Sequence, residues 1–231
     1  MNSSRYKAAI WDMDGTLLNT LEDIAGALNQ TLIAWGLPPH TPHETLEGIG
    51  HGSRYLCQWA SGLDGEKLDQ FTTQYRANAV NLAQPKTRPY PGIPELLHQL
   101  KSSNFKLGIY TNKPQKWTEQ LTKRHFGEGL FDIIIGTTPD GYLKPDPGGI
   151  DEMCGKWNIS KDETVMIGDS DVDWQTAVHA KCPVICVSWG FGDKEKLRHL
   201  GAGIVDDTNE LKEMLFGKIC PHLRQNTSCL H

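Results

Sequence analysis

The sequence predicts an α/β protein, a doubly wound parallel sheet of Rossmann-like type with an all-helical module inserted near its start. Three observations carry this expectation. Short apolar runs that suit buried strands recur along the chain and end on polar residues: "AAIWD", "FKLGIYTN", "FDIIIGT", "TVMIGDS", "PVICVSWG" and "GIVDD". After about residue 90 these runs alternate with amphipathic helical patterns, as in a parallel sheet covered by helices on both faces. Residues 19–88 break the rhythm, with helical spacing and no convincing strand.

Taken in order, "AAIWD" is the first core strand, and the chain then leaves the sheet. "TLEDIAGALNQTLIAW" reads as an amphipathic helix, and Leu68, Phe71, Tyr75, Ala79 and Leu82 fall at helical spacing in another. The proline-rich "AQPKTRPYPGIP" punctuates the return. The outgoing segment near Leu18–Thr20 and the returning one near Arg88–Gly92 are expected to form a two-stranded hinge beside Asp12. This divides the chain into a core of residues 1–18 and 89–231 and a helical cap of residues 19–88. Within the core, "PELLHQLKS", "PQKWTEQLTKRHF", "GGIDEMCGKWN", "VDWQTAVHAK", "KEKLRHL" and "ELKEMLF" supply the covering helices. The stretch "CPHLRQNTSCLH" after Gly217 reads as poorly structured.

A length of 231 residues suits one large domain or one domain carrying an inserted module. The net charge of −5, with acids and bases mixed, offers no basic face to nucleic acid and no polybasic segment to a membrane. The expected partner is therefore a small molecule. The start "MNSSRYKAAIW" lacks the apolar stretch of a signal peptide, so a cytoplasmic location is expected. Six scattered cysteines without a CxxC pair read as reduced thiols, mostly buried.

In open parallel sheets ligands collect at the carboxyl ends of the strands. If the strands ending in Asp12, Thr111 and Asp169 are neighbours, one crevice gathers Asp12, Asp14, Thr111, Asn112, Asp169 and Asp173, with Lys144 reaching in from "YLKPDP". Four carboxylates against one lysine leave a formal charge of −3, which calls for neutralisation. Hard oxygen ligands with no Cys or His nearby favour magnesium over zinc. One protonated carboxyl in such a cluster is placed to act as a general acid. A carboxylate is an adequate nucleophile toward phosphorus. Phosphoryl transfer then needs alignment plus cations and donors around the equatorial oxygens, which magnesium, Lys144 and the Thr111 hydroxyl would supply. Gly15, lacking a side chain, lets the backbone approach a phosphoryl group.

Asp12-Met13-Asp14-Gly15-Thr16, Thr111-Asn112-Lys113, Lys144-Pro145 and Gly168-Asp169-Ser170-Asp171-Val172-Asp173 stand in this order. Together they resemble the four motifs of the haloacid dehalogenase superfamily of phosphohydrolases. The contexts "RPYPGIPELLHQLKSSNFKLGIYTNKP" and "VSWGFGDKEKL" resemble its phosphoglycolate phosphatase-like branch with a helical cap. The resemblance covers about residues 6–216. It implies a magnesium-dependent phosphatase acting on a small phosphate monoester through an aspartyl-phosphate, with Asp12 as nucleophile and Asp14 as acid and base. Thr111, Asn112, Gly15 and Lys144 would hold the phosphoryl group. Magnesium would be held by Asp12, the backbone carbonyl of Asp14 and Asp169, with Asp173 orienting that arrangement or Lys144. An acid at the position of Asp14 argues against the dehalogenases themselves. Two positions depart from the branch, which usually has an aspartate at Asn19 and a glycine near Lys181.

The segment "EGIGHGSRYL" resembles the family's substrate-specificity loop, and Arg54, its fixed cation, is the first candidate to bind a substrate carboxylate. Asp12, beside magnesium and Lys144, is expected to titrate low. "DSDVD" imitates a calcium loop, but Trp174 and Ala180 stand where that loop needs Gly and Glu. Asp171 reads as a solvated residue or helix cap, Trp11 and Met13 as packing, and the histidines form no ligand-spaced pair. Two other functions fit the same residues: a phosphosugar mutase, and a non-catalytic phospho-accepting signalling domain.

Overall fold

Six parallel strands in the order β5-β4-β1-β6-β7-β8 form the central sheet of the computed structural model, which describes residues 5–81 and 85–217. Strand β1 is Ala8–Trp11, and after it come a short strand β2 (Leu18–Asn19) and the helices α1 (Leu21–Ala34), α2 (Pro42–Thr45), α3 (Ser53–Ser61) and α4 (Gly65–Asn81). The chain returns through β3 (Arg88–Pro89) to α5 (Ile93–Ser102), β4 (Lys106–Pro114), α6 (Gln115–Phe126), β5 (Ile133–Thr137) and α7 (Gly148–Trp157). It closes with β6 (Thr164–Gly168), α8 (Asp171–Ala180), β7 (Val184–Val187), α9 (Lys194–His199), β8 (Ile204–Val205) and α10 (Thr208–Leu215). Every apolar run read as a core strand is one. Leu82, Cys220, Cys229 and the stretch after Gly217 lie outside the described residues.

The pleat sorts the central strands onto two layers. Ala9 and Trp11 of β1, with Leu107, Ile109, Val165 and Ile167, pack against Ile93, Leu97 and Leu100 of α5 and Leu211 and Leu215 of α10. Ile10, Tyr110 and Met166 face the other way, onto Ile150 and Met153 of α7 and Ala177 and Ala180 of α8. Met13 joins the first layer, so Trp11 and Met13 are packing residues. Because both faces are covered, β1 is fully buried along its length, which is why it reads as an unbroken apolar run. The four described cysteines, Cys57, Cys154, Cys182 and Cys186, are free and buried.

The inserted helices have a core of their own. Ala27, Leu28 and Leu32 of α1, Leu56 and Cys57 of α3, and Leu68, Phe71 and Tyr75 of α4 pack together, and Trp117 of α6 joins them from the sheet side. The outgoing and returning segments pair as an antiparallel ribbon, Leu18 with Pro89 and Asn19 with Arg88. Asp23, in the first turn of α1, fastens the return: its carboxylate accepts the Thr87 backbone N–H at 2.7 Å, the Thr87 hydroxyl at 2.6 Å and the Lys86 backbone N–H at 3.1 Å. The second half of "EGIGHGSRYL" is the first turn of α3 rather than loop. Among the described residues, no helix is long and apolar enough to cross a membrane.

Candidate active site

The register of the three middle strands brings the polar ends together. Trp11 pairs with Ile109 on one side and Ile167 on the other, so Asp12, Thr111 and Asp169 emerge at the same edge of the sheet. All three are buried, as are Asn112, Lys113, Lys144 and Asp173. The Lys144 ammonium lies 2.8 Å from Asp12 Oδ1 and donates to Asp173 Oδ1 at 2.5 Å. Asp173 is itself fixed by a reciprocal cap at the start of α8: its Oδ2 accepts the Ser170 hydroxyl at 2.6 Å and backbone N–H at 3.1 Å, while Ser170 Oγ accepts the Asp173 N–H at 3.3 Å. Ser170 is therefore the cap of this helix. Asp171 is its first residue, paired with Lys196 at 2.6 Å and away from the cluster.

Asp169 is held from two loops. Its Oδ1 accepts the Thr16 hydroxyl at 2.9 Å, and its Oδ2 accepts the backbone N–H groups of Phe191 at 2.7 Å and Gly192 at 3.1 Å. The approach is close enough to dictate glycine at position 15, where φ is +89° and a Cβ would fall 2.4 Å from Asp169 Oδ2. Asp14 belongs to a separate network. Its carboxylate accepts the Thr20 hydroxyl at 2.8 Å and the Lys113 ammonium at 2.9 and 3.1 Å. The Asn112 amide is spent on backbone: Nδ2 donates to the carbonyls of Lys144 and Gly50, at 3.0 and 2.9 Å, and Oδ1 accepts the Lys144 N–H at 2.7 Å. Its side chain thus braces Lys144 and ties the helical insertion to the sheet.

Burial pushes the pKa of Asp12 up to about 6, against the lowering effect of Lys144 and with the help of Asp173. Asp169 is pushed up to about 7 by burial and by Asp173 and Asp12. Without a metal, desolvation of Asp12 outweighs its one ammonium neighbour, so Lys144 by itself does not bring about the low titration expected beside magnesium. Burial disfavours the Lys144 ammonium, but Asp12 and Asp173 outweigh it and hold its pKa above the ordinary lysine value. The charge count is also corrected. Lys113 is a second buried cation, so four carboxylates and two lysines leave −2 rather than −3.

Ligand atoms of Asp12, Asp169 and Asp173 all lie within 4.8 Å of one another, the one such group of His, Cys, Asp or Glu among the described residues. Three crowded carboxylates, two of them with raised pKa, form an all-oxygen donor set that fits a hard divalent cation. Both Asp173 oxygens are already taken by Lys144 and Ser170. Both Asp169 oxygens also accept hydrogen bonds, from neutral donors, so Asp12, which meets only Lys144, is the freest of the three and Asp169 the next, having no cation against it.

A cavity of about 60 Å³ lies over the strand ends, bounded by Asp12, Asp14, Thr111, Lys113 and Lys144 below and by Ile24, Ile49, Gly50, Ser53, Leu56 and Tyr75 of the insertion above. The structure does not bring Arg54 to it. That side chain is about half exposed and pairs with Asp69 of α4 at 3.1 Å. Lys113 of "TNK", Thr16, Thr20 and the "WGFG" loop have no role in the sequence-based expectation, yet all of them contact the site aspartates. The available signals were the apolar strand running straight into Lys113 and the two glycines on either side of Phe191, which let the backbone come close to Asp169.

The family model described as haloacid dehalogenase-like hydrolase matches residues 9–187. A curated phosphoglycolate phosphatase of Mannheimia succiniciproducens is 29% identical over 202 residues, 82% of this chain and 88% of that protein. The N-acetylmuramic acid 6-phosphate phosphatase of Pseudomonas aeruginosa is 29% identical over 228 residues, 95% of this chain and 99% of that protein. A crystal structure from Lactobacillus delbrueckii subsp. bulgaricus superposes with a TM-score of 0.86 at 29% identity, covering 92% of this chain and 99% of that one. With its motif residues gathered at one sheet edge under a helical insertion, the chain belongs to the haloacid dehalogenase-like hydrolases, on their phosphoglycolate phosphatase-like branch.

Proposed function

We propose that the protein is a magnesium-dependent phosphatase that hydrolyses small, phosphoglycolate-like monoesters through an aspartyl-phosphate, with residues 19–88 serving as the cap over a core of 1–18 and 89–231. The observation that carries this reading is the separation of the two aspartates: Asp12 faces the cavity beside Lys144, while Asp14 is held apart by Thr20 and Lys113. One carboxylate is thus free to attack while its neighbour handles the proton. Asp12 forms a bond to phosphorus as the bond to the leaving oxygen breaks, and Asp14 delivers a proton to that oxygen. Asp14 then takes a proton from water, which attacks the same phosphorus and releases phosphate and Asp12. The Lys144 ammonium and Thr111 hydroxyl bind the non-bridging oxygens, and the Asn112 side chain acts through Lys144 rather than on the phosphoryl group. Magnesium would be held by Asp12, Asp169 and the Asp14 carbonyl, with Asp173 orienting Lys144, and when bound it offsets the charge gathered on the phosphoryl oxygens.

The test is stoichiometric release of inorganic phosphate from a panel of phosphorylated metabolites with magnesium present. Asp12→Asn is expected to abolish release, and Asp14→Asn to lower it by roughly 10²- to 10⁴-fold. Isomerised sugar with retained phosphate would indicate a mutase. Unchanged turnover of an aryl phosphate by Asp14→Asn would indicate a phospho-accepting domain without an acid.

A further inference from the structure

We propose that Lys113 selects the leaving group: its ammonium binds a carboxylate carried on the carbon next to the ester oxygen, so that esters of short 2-hydroxy acids are favoured. This rests on the phosphatase reading above and names the residue that reads the substrate. Lys113 lines the cavity, and its side chain is only 4% exposed. An ammonium has three N–H donors. Two contacts go to Asp14, at 2.9 and 3.1 Å, and among the described residues no acceptor takes a third.

The other cations near the cavity are committed elsewhere. Lys144 is shared between Asp12 and Asp173, Arg54 pairs with Asp69, and Arg76 donates through Nε and Nη2 to Ser53 Oγ at 3.0 and 2.9 Å. Ile24, Ile49, Leu56, Tyr75 and Trp117 make the remaining walls largely apolar. A carboxylate brought into such walls is costly without a charged partner; of the two buried lysines that line the cavity, Lys144 is taken up by Asp12, Asp173 and the phosphoryl group, which leaves Lys113 for the leaving group. Its position sets the geometry. Because it touches both oxygens of Asp14, the group that meets the leaving oxygen, it reaches substituents one or two bonds beyond that oxygen.

The experiment compares kcat/KM for phosphoglycolate, ethyl phosphate and phosphoethanolamine, which share a two-carbon leaving group and differ in its charge. Wild-type protein is expected to prefer them in that order, with the carboxylate favoured over the neutral ester by roughly 10- to 100-fold. In Lys113→Met that ratio is expected to collapse mainly through KM for phosphoglycolate, and Lys113→Arg to restore part of it. Equal losses for all three esters in Lys113→Met would overturn the proposal, since Lys113 would then act only through Asp14. Should that variant fail to fold, the wild-type charge series decides: phosphoethanolamine turned over as well as phosphoglycolate overturns it. Failure of the phosphatase reading looks different, because then none of the three esters releases phosphate.

Discussion

Asp169 receives a hydroxyl and two backbone N–H groups, so its position is set by partners that an amide only partly satisfies. Asp169→Asn is expected to fold while the magnesium concentration for half-maximal phosphate release rises by roughly 10- to 100-fold. A magnesium titration followed by both activity and thermal shift checks this, and an unchanged midpoint would remove Asp169 from the ligand set. Asp12, Asp14, Thr111 and Asp169 were legible in the sequence because each stands at or just beyond an apolar run, and Lys144 and Asp173 because they fall in order with them in the segments that follow two such runs. The titration of Asp12 was not, because it depends on how burial and Lys144 balance. Lys113 was hidden by the ordinary habit of lysines to lie at the surface. The ion pair of Arg54 was hidden for the converse reason: its partner, Asp69, sits on another helix, and nothing in the loop's own composition announces it.

At the scale of elements, α8 carries two features that the chemistry uses at one end and tolerates at the other. Ser170 closes its N-terminus and holds Asp173, which in turn holds Lys144. Ser170→Ala is expected to cost about 1 kcal/mol in urea unfolding and to lower kcat/KM as well, because Asp173 loses its brace. At the other end Lys181 adopts φ 55°, the left-handed conformation that favours glycine. Lys181→Gly is expected to stabilise the protein by roughly 0.5–1 kcal/mol, the relief of Cβ strain being partly offset by a freer unfolded chain. A lower urea midpoint for this variant would contradict that. The core strands were legible because a sheet buried on both faces turns each strand into an apolar run. Helix α3 was not, since it has nine residues and is preceded by Gly52 at φ +88° in place of a side chain that could cap it. The fastening of Asp23 to Thr87 was equally hidden, as it joins residues 64 positions apart.

For the whole molecule, the raised pKa values of Asp12 and Asp169 predict how stability varies with pH. An aspartate whose folded pKa exceeds its unfolded value binds its proton more tightly when folded. The stability so contributed is present near pH 4 and is lost as pH climbs through about 6 and about 7. Metal-free protein is thus expected to lose Tm between pH 5 and 7.5. Added magnesium should raise Tm more at pH 7.5 than at pH 5, because the cation takes the place of the protons. A metal-free Tm that rises over this window would contradict the crowding of carboxylates described above.

The ribbon of β2 and β3 has a consequence for how such a molecule diversifies. Both crossings between sheet and insertion occur side by side, Leu18 with Pro89 and Asn19 with Arg88, and neither strand belongs to the six-stranded sheet. The helical segment can therefore be exchanged for a relative's by two cuts at one place without shifting the register that aligns Asp12, Thr111 and Asp169. The reacting residues, Lys113 among them, and the walls that the insertion lends to the cavity are free to change at different rates.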